Sequence, residues 1–143
     1  MEDEIVSFET AMLLKEKGFN EPCSYYYENN DLYKLGYYHG DGTGFARNNS
    51  PINDRLLCEE MQCTAPTQSL AQKWLREHLE CHMFVIPSLQ EGNIIYYVHI
   101  IKYSNKIYYG HNLILKDSNA STMTFTSHEE ALEEGLKYCL KSI

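Results

Sequence analysis

Apolar positions recur along this chain with two different periods, and the switch between them lays out the elements. In residues 8–17, Ala11 and Leu14 share one side and Phe19 follows just beyond. Ser7 is placed to cap this segment and Gly18 to stop it, which predicts a first helix. Glu9 in its first turn and Lys15 and Lys17 in its last suit the helix dipole. Over residues 67–81, Leu70, Ala71, Trp74, Leu75, His78 and Leu79 return at spacings of three and four, the signature of an amphipathic helix. Thr64 or Thr67 serves as its cap, and Pro66 lies where the first turn tolerates it. A third helix opens at the capping box Ser127-x-x-Glu130 and carries the stripe Leu132, Gly135, Leu136, Cys139, Leu140 and Ile143.

Between these helices the period shortens to that of strands. Residues 24–28 and 32–39 are tyrosine-rich, and Asn29-Asn30-Asp31 between them is hairpin chemistry, since these residues tolerate positive φ. Residues 82–86, 94–103 and 106–115 predict three further strands. Gln90-Glu91-Gly92-Asn93 and Ser104-Asn105 form the turns that fold them into a meander. Residues 122–125 add a short strand. Residues 40–54 read as a long loop rich in Gly, Asn, Ser and Asp, and residues 55–63 as a short helical turn.

The resulting order is helix, hairpin, loop, helix, meander, helix. It predicts an α+β fold in which an antiparallel sheet, made of the N-terminal hairpin plus the three-strand meander, carries three helices on one face. The length, 143 residues, fits a single domain over 1–143. A chain of that size buries about 68% of its unfolded surface and needs no metal or disulfide to hold its core. Leu70, Trp74, Leu75, Leu132, Leu136 and Leu140 are the expected core positions of the second and third helices.

Composition narrows the functional classes. The net charge is −8, with 12 Lys and Arg against 20 acids and no dense basic cluster. Binding to a phosphate backbone gains affinity from counterion release by Lys and Arg, so duplex nucleic acid is a poor fit. The longest apolar run, residues 94–101, is broken by His99 and is far too short for a bilayer, so no membrane association is expected. The acidic start Met1-Glu2-Asp3-Glu4 does not resemble a signal peptide, and a cytoplasmic setting follows as the expectation. In such a setting the five cysteines, Cys23, Cys58, Cys63, Cys81 and Cys139, are expected to be reduced.

Four constellations bear on chemistry. Twelve tyrosines fall in runs that include Tyr37-Tyr38, Tyr96-Tyr97 and Tyr108-Tyr109. Adjacent residues of a strand point to opposite faces, so each pair puts one ring on each side of the sheet. Helices cover one face, and the rings on the other form either a binding face or a half-buried cap on the sheet. The six residues Tyr37, Tyr38, Tyr96, Tyr97, Tyr108 and Tyr109 are therefore the candidate ligand or partner contacts. Cys58-x4-Cys63 with His78-x2-Cys81-His82 offers thiolate and imidazole in a loose zinc-like spacing, but cysteine and histidine occur as packing residues too, and no metal site is assigned. His78 to His82 is not a His-Glu-x-x-His metalloprotease motif, because its acid is in the third position. Gly40-Asp41-Gly42-Thr43-Gly44 is followed by Asn48-Asn49-Ser50-Pro51, which opens no helix, so it is a loop and not a phosphate cradle. No nucleophile elbow and no local catalytic grouping occurs, so neither a catalytic residue nor a cofactor is assigned.

Three blocks of this sequence resemble a family of small uncharacterised proteins common in phage and prophage-like gene sets of gut bacteria. The first runs from Val6-Ser7-Phe8-Glu9 through Leu13 to Phe19 and on to Glu21-Pro22-Cys23. The second is Ala65-Pro66-Thr67-Gln68-Ser69-Leu70 with Gln72-Lys73-Trp74-Leu75-Arg76-Glu77. The third is Glu129 to Leu136. They stand in the family's order and cover most of the chain. The family's usual pattern lacks Cys58 and Cys63, and it implies no catalytic residue. The resemblance implies a mobile-element accessory protein inside a bacterial host cell. Such a protein acts as a non-enzymatic binding module that masks a host protein, or as a sponge for a small nucleotide-type signalling molecule. A small enzyme without a recognisable motif is the remaining alternative, and a homodimer through the open sheet face competes with any ligand. The acidic charge favours a partner with a basic surface over a nucleotide.

Overall fold

Ser7 starts the first helix as its position predicts. In the computed structural model, which describes residues 3–35, 45–48, 55–56, 60–104, 107–114 and 122–141, the Thr10 amide donates to Ser7 Oγ at 3.3 Å and opens α1 (Phe8–Glu16). The helix closes on Gly18 at φ +97°, where the Gly18 amide donates to the Lys15 carbonyl and the Phe19 amide to the Leu14 carbonyl. These two bonds satisfy carbonyls that the helix end would leave orphaned, and glycine takes the left-handed backbone at little steric cost.

The chain divides into two units, Met1–Gln68 and Ser69–Ile143. In the first, β1 (Tyr25–Glu28) and β2 (Asp31–Lys34) form the expected antiparallel hairpin. Its two turn residues, Asn29 and Asn30, lie at φ 52° and 72°, the paired left-handed geometry that matches the twist of the strands. Two short strands, β3 (Ala46–Arg47) and β4 (Arg55–Leu56), pair in parallel, and β5 (Gln62–Thr64) pairs antiparallel to the free side of β1. The helical turn predicted over 55–63 is thus corrected: its described residues are in strands β4 and β5 and in the turn at Glu60 and Met61. A three-residue strand is too short to show a period, and pairing with β1 overrides local propensity. α1 packs against β5. Val6, Ala11, Leu14, Phe19 and Cys63 are all buried in this unit.

The second unit follows α2 (Gln68–His78) with β6 (Cys81–Gln90), β7 (Asn93–Ser104), β8 (Ile107–Ile114) and α3 (His128–Lys141). The strands form the predicted meander, in the order β6-β7-β8, and the turn at Glu91 and Gly92 again takes two positive φ values. α2 stops short of its predicted end. Glu80 turns left-handed at φ 51°, and Cys81 begins a strand opposite Lys102. β6 also runs beyond its predicted end at residue 86, through Pro87. That proline is tolerated because, among the described residues, β6 is an outer strand whose far side pairs with no other strand. The hairpin and the meander lie in separate sheets, one in each unit, and not in the single sheet expected from the sequence.

α3 covers one face of the meander. Ser127 accepts the Glu130 amide at 3.1 Å, which confirms the cap, while the Glu130 carboxylate takes the Thr126 hydroxyl at 3.3 Å. Close approach of the helix rests on Gly135. A Cβ there would sit 2.8 Å from Met83 Cε and 3.0 Å from Val98 Cγ1. Of the expected core positions, Trp74, Leu75, Leu132, Leu136 and Leu140 are buried and Leu70 is half-buried. Among the described residues no helix is long and apolar enough to cross a membrane.

Candidate functional site

The register of β6 on β7 sorts the meander's side chains into two sets. Met83 faces Ile100 and Val85 faces Val98, while Pro87 faces Tyr96; this set lies on the α3 side, as the Gly135 contacts show. The intervening pairs, His82 with Ile101, Phe84 with His99 and Ile86 with Tyr97, must lie on the opposite side. Met83, Val98 and Ile100 are at most 2% exposed, whereas Phe84 is 48% and Ile86 39% exposed. Toward the turn the apolar exposure spreads to the first set as well, with Leu89 at 73% and its partner Ile94 at 56%. The β6–β7 hairpin therefore presents four large apolar side chains to solvent.

The tyrosine pair Tyr96-Tyr97 splits across the sheet as strand geometry requires. Tyr96 is on the α3 side: its backbone exchanges hydrogen bonds with Phe125 at 2.9 and 3.0 Å, and its ring meets the edge of His128 at a centroid distance of 6.1 Å. Tyr97 is on the open side, where its hydroxyl accepts from Gln90 Nε2 at 2.6 Å. Tyr108 and Tyr109 lie within β8, with Tyr108 opposite Tyr103. Tyr37 and Tyr38 lie outside the described residues, as does most of the loop at 40–54. Of the six candidate tyrosines, Tyr97 alone has a described side chain on the open face.

The described tyrosines of the first unit are engaged within it. Tyr26 stacks on its cross-strand partner Tyr33 at 5.4 Å, and Tyr27 donates its hydroxyl to the Val6 carbonyl at 2.7 Å while its ring meets Phe8 edge-on. Lys34 Nζ lies 5.8 Å from the ring centroid of Tyr25, opposite it in the register. These contacts are the cross-strand pairs that stabilise a sheet.

The sequence pointed to tyrosine and passed over the aliphatic and phenylalanine positions that carry the exposure. The signal was present: Phe84 and Ile86 alternate with Met83 and Val85, so β6 is apolar on both faces. In a sheet with one face covered, that pattern marks either a second cover or an exposed contact.

An open groove of about 730 Å³ runs along α1 in the first unit, lined by Phe8, Glu9, Met12, Leu13, Lys15 and Glu16. Lys15 Nζ donates to the Gln62 carbonyl at 2.5 Å. The described lining combines apolar side chains with the Glu9 and Glu16 carboxylates and the Lys15 ammonium.

The cysteines occupy three settings. Cys23 and Cys63 are buried in the first unit, and burial pushes each thiol up to about 12. Such thiols are protonated and unreactive at neutral pH. Cys58 lies outside the described residues. Cys81 and Cys139 are buried together in the second unit, with their sulfurs 2.8 Å apart. Cys81 and His78 are not on one helix face, as the zinc-like spacing had suggested, because α2 ends before Cys81. Among the described residues, no cluster of three or more His, Cys, Asp or Glu side chains is placed to hold a metal ion.

Compared with family models, curated proteins and solved structures, the chain matches none.

Proposed function

We propose that this protein is a non-enzymatic binding module whose β6–β7 hairpin docks onto a protein partner. The observation that carries the reading is the exposure of Phe84, Ile86, Leu89 and Ile94 on one hairpin. Isolated apolar residues on a surface need no explanation, but here two neighbouring pairs, Phe84 with Ile86 on one face and Leu89 with Ile94 on the other, lie on a single hairpin. Tyr97 and His99 on the same strand add polar tips beside it, the mix that interfaces favour. Docking uses the side-chain faces. Pro87 lacks the amide that a strand added along the edge of β6 would need.

The partner fits the setting implied by the family resemblance, a host protein in a bacterial cell. The net charge of −8 favours one with a basic surface around an apolar hollow. The test is capture from bacterial lysate by the wild-type chain and by Phe84→Ser/Leu89→Ser. The expected result is one host protein at near-equal stoichiometry with the wild type, lost in the variant while its melting curve stays close to wild type. Capture that survives both substitutions, or release of an intact nucleotide on heat denaturation, would overturn the reading. Light scattering separates the remaining outcome. A wild-type dimer that the variant dissolves assigns the hairpin to self-association.

A further inference from the structure

Two buried thiols of the second unit play no part in the proposed docking. Cys81 is the first residue of β6, and Cys139 lies near the end of α3. Both are fully buried, and their sulfurs stand 2.8 Å apart. That is only about 0.8 Å longer than a disulfide bond of about 2.04 Å. The two elements already pack together, so closing the gap requires no rearrangement of the fold. Met83 Sδ, 4.0 Å from Cys139, completes a cluster of three sulfurs under the helix.

We infer that Cys81 and Cys139 form a redox-sensitive pair, reduced in the resting protein and closed to a disulfide by a peroxide. The two sulfurs are not equivalent. Their mutual hydrogen bond lowers the Cys81 pKa and raises that of Cys139, while burial raises both and the Lys102 ammonium, opposite Cys81 in the register, lowers both. Cys81 is therefore the attacking sulfur. Its thiolate displaces hydroxide from hydrogen peroxide, giving a Cys81 sulfenic acid. The Cys139 sulfur then attacks the Cys81 sulfur and water leaves. In sum two thiols and one peroxide give one disulfide and two waters; the two electrons pass from sulfur to peroxide oxygen. Complete burial selects a small oxidant, since a bulky disulfide such as oxidised glutathione cannot reach either sulfur without the helix opening. Bridged, the pair ties the start of the meander to the end of the chain's last helix and closes a long loop.

The test uses the full reduced chain. It is treated with hydrogen peroxide, quenched with catalase, denatured, alkylated and digested without reduction. The expected product is a linked peptide joining Cys81 to Cys139, two hydrogens lighter than the separate thiol peptides. The treated protein should melt roughly 5–15 °C higher than the reduced form, as expected for a bridge across a loop of this length, and dithiothreitol should reverse the gain. In Cys139→Ala the step should stop at a Cys81 sulfenic acid, which dimedone traps. If that variant does not fold, the wild-type peptide map decides alone. Alkyl label on both Cys81 and Cys139 after treatment, linkage through another cysteine, or a Met83 sulfoxide beside two free thiols would each overturn the inference.

Discussion

Met83 and Phe84 are neighbours in one strand and live in different surroundings. Met83 is buried against Gly135 and next to Cys139, whereas Phe84 stands half in solvent opposite His99. The same contrast holds on β7 between Ile100, which is buried, and Tyr97, which is half-buried with its hydroxyl held by Gln90. One position of register separates a side chain that holds the second unit together from one available to a partner. Exposure of Phe84 and Ile86 does not serve the fold of this unit, and the proposed docking role rests on it.

The sharpest way to break this comparison is to truncate one residue from each set. Ile100→Ala should cost about 2–5 kcal/mol in a denaturant titration, since it removes fully buried methyl groups and leaves a cavity. Phe84→Ser, on the same sheet, should cost about 1 kcal/mol or less. Equal losses would show that both faces are packed. Filling, instead of emptying, tests the helix side. Gly135→Val should lose about 3 kcal/mol, because the added methyl groups have no room beside Met83 and Val98. A wild-type melting curve would mean that α3 sits farther from the sheet.

The buried thiols of the first unit respond to base. Cys23 and Cys63 have folded pKa values raised to about 12 from an ordinary value of 9.0. The stabilisation from holding them protonated is intact below pH 9 and is lost as the pH climbs toward 12. Each thiol should remove about 1.4 kcal/mol of stability per pH unit in that window. Cys63→Ala should flatten the dependence by one thiol's share. An unchanged slope would place Cys63 in solvent. A small effect is expected at the start of α3: Ser127→Ala should cost about 1 kcal/mol by removing the acceptor of the Glu130 amide.

Elements with a local chemical signal were legible in the sequence. Ser7 and Gly18 bounded α1, Ser127 opened α3, and the turns at Asn29-Asn30 and Glu91-Gly92 fixed two hairpins. Each of these depends on a backbone conformation that a few residue types favour. The strands β3, β4 and β5 were not legible, because two or three residues carry no period and their pairing is set by distant partners. Cys81 was misplaced into a helix because Leu79 continued the apolar spacing past the left-handed turn at Glu80. That single displacement hid the pairing with Cys139. The exposed face of the β6–β7 hairpin was half legible. Alternation put one ring of the Tyr96-Tyr97 pair on each side without saying which, and the abundance of tyrosine drew attention from Phe84 and Ile86, which have no compositional signature. Tyr26 and Tyr27 proved to serve the first unit's own packing, Tyr26 stacked on Tyr33 and Tyr27 bonded to the Val6 carbonyl.

The two-residue turns also set an order of events. A hairpin closed by a pair of left-handed residues brings its strands together with a minimal loop, and such hairpins form in about 1–10 μs. β1–β2 and β6–β7 are both of this kind. The addition of β5 to β1, and of Phe125 to Tyr96, joins segments far apart along the chain and must wait for larger loops to close. Nascent chains would then display the β6–β7 hairpin, with its apolar residues bare on both faces, before α3 has been synthesised to cover one of them. Amides of β7 that face Phe125 should accordingly gain protection from hydrogen exchange later in refolding than those that face β6.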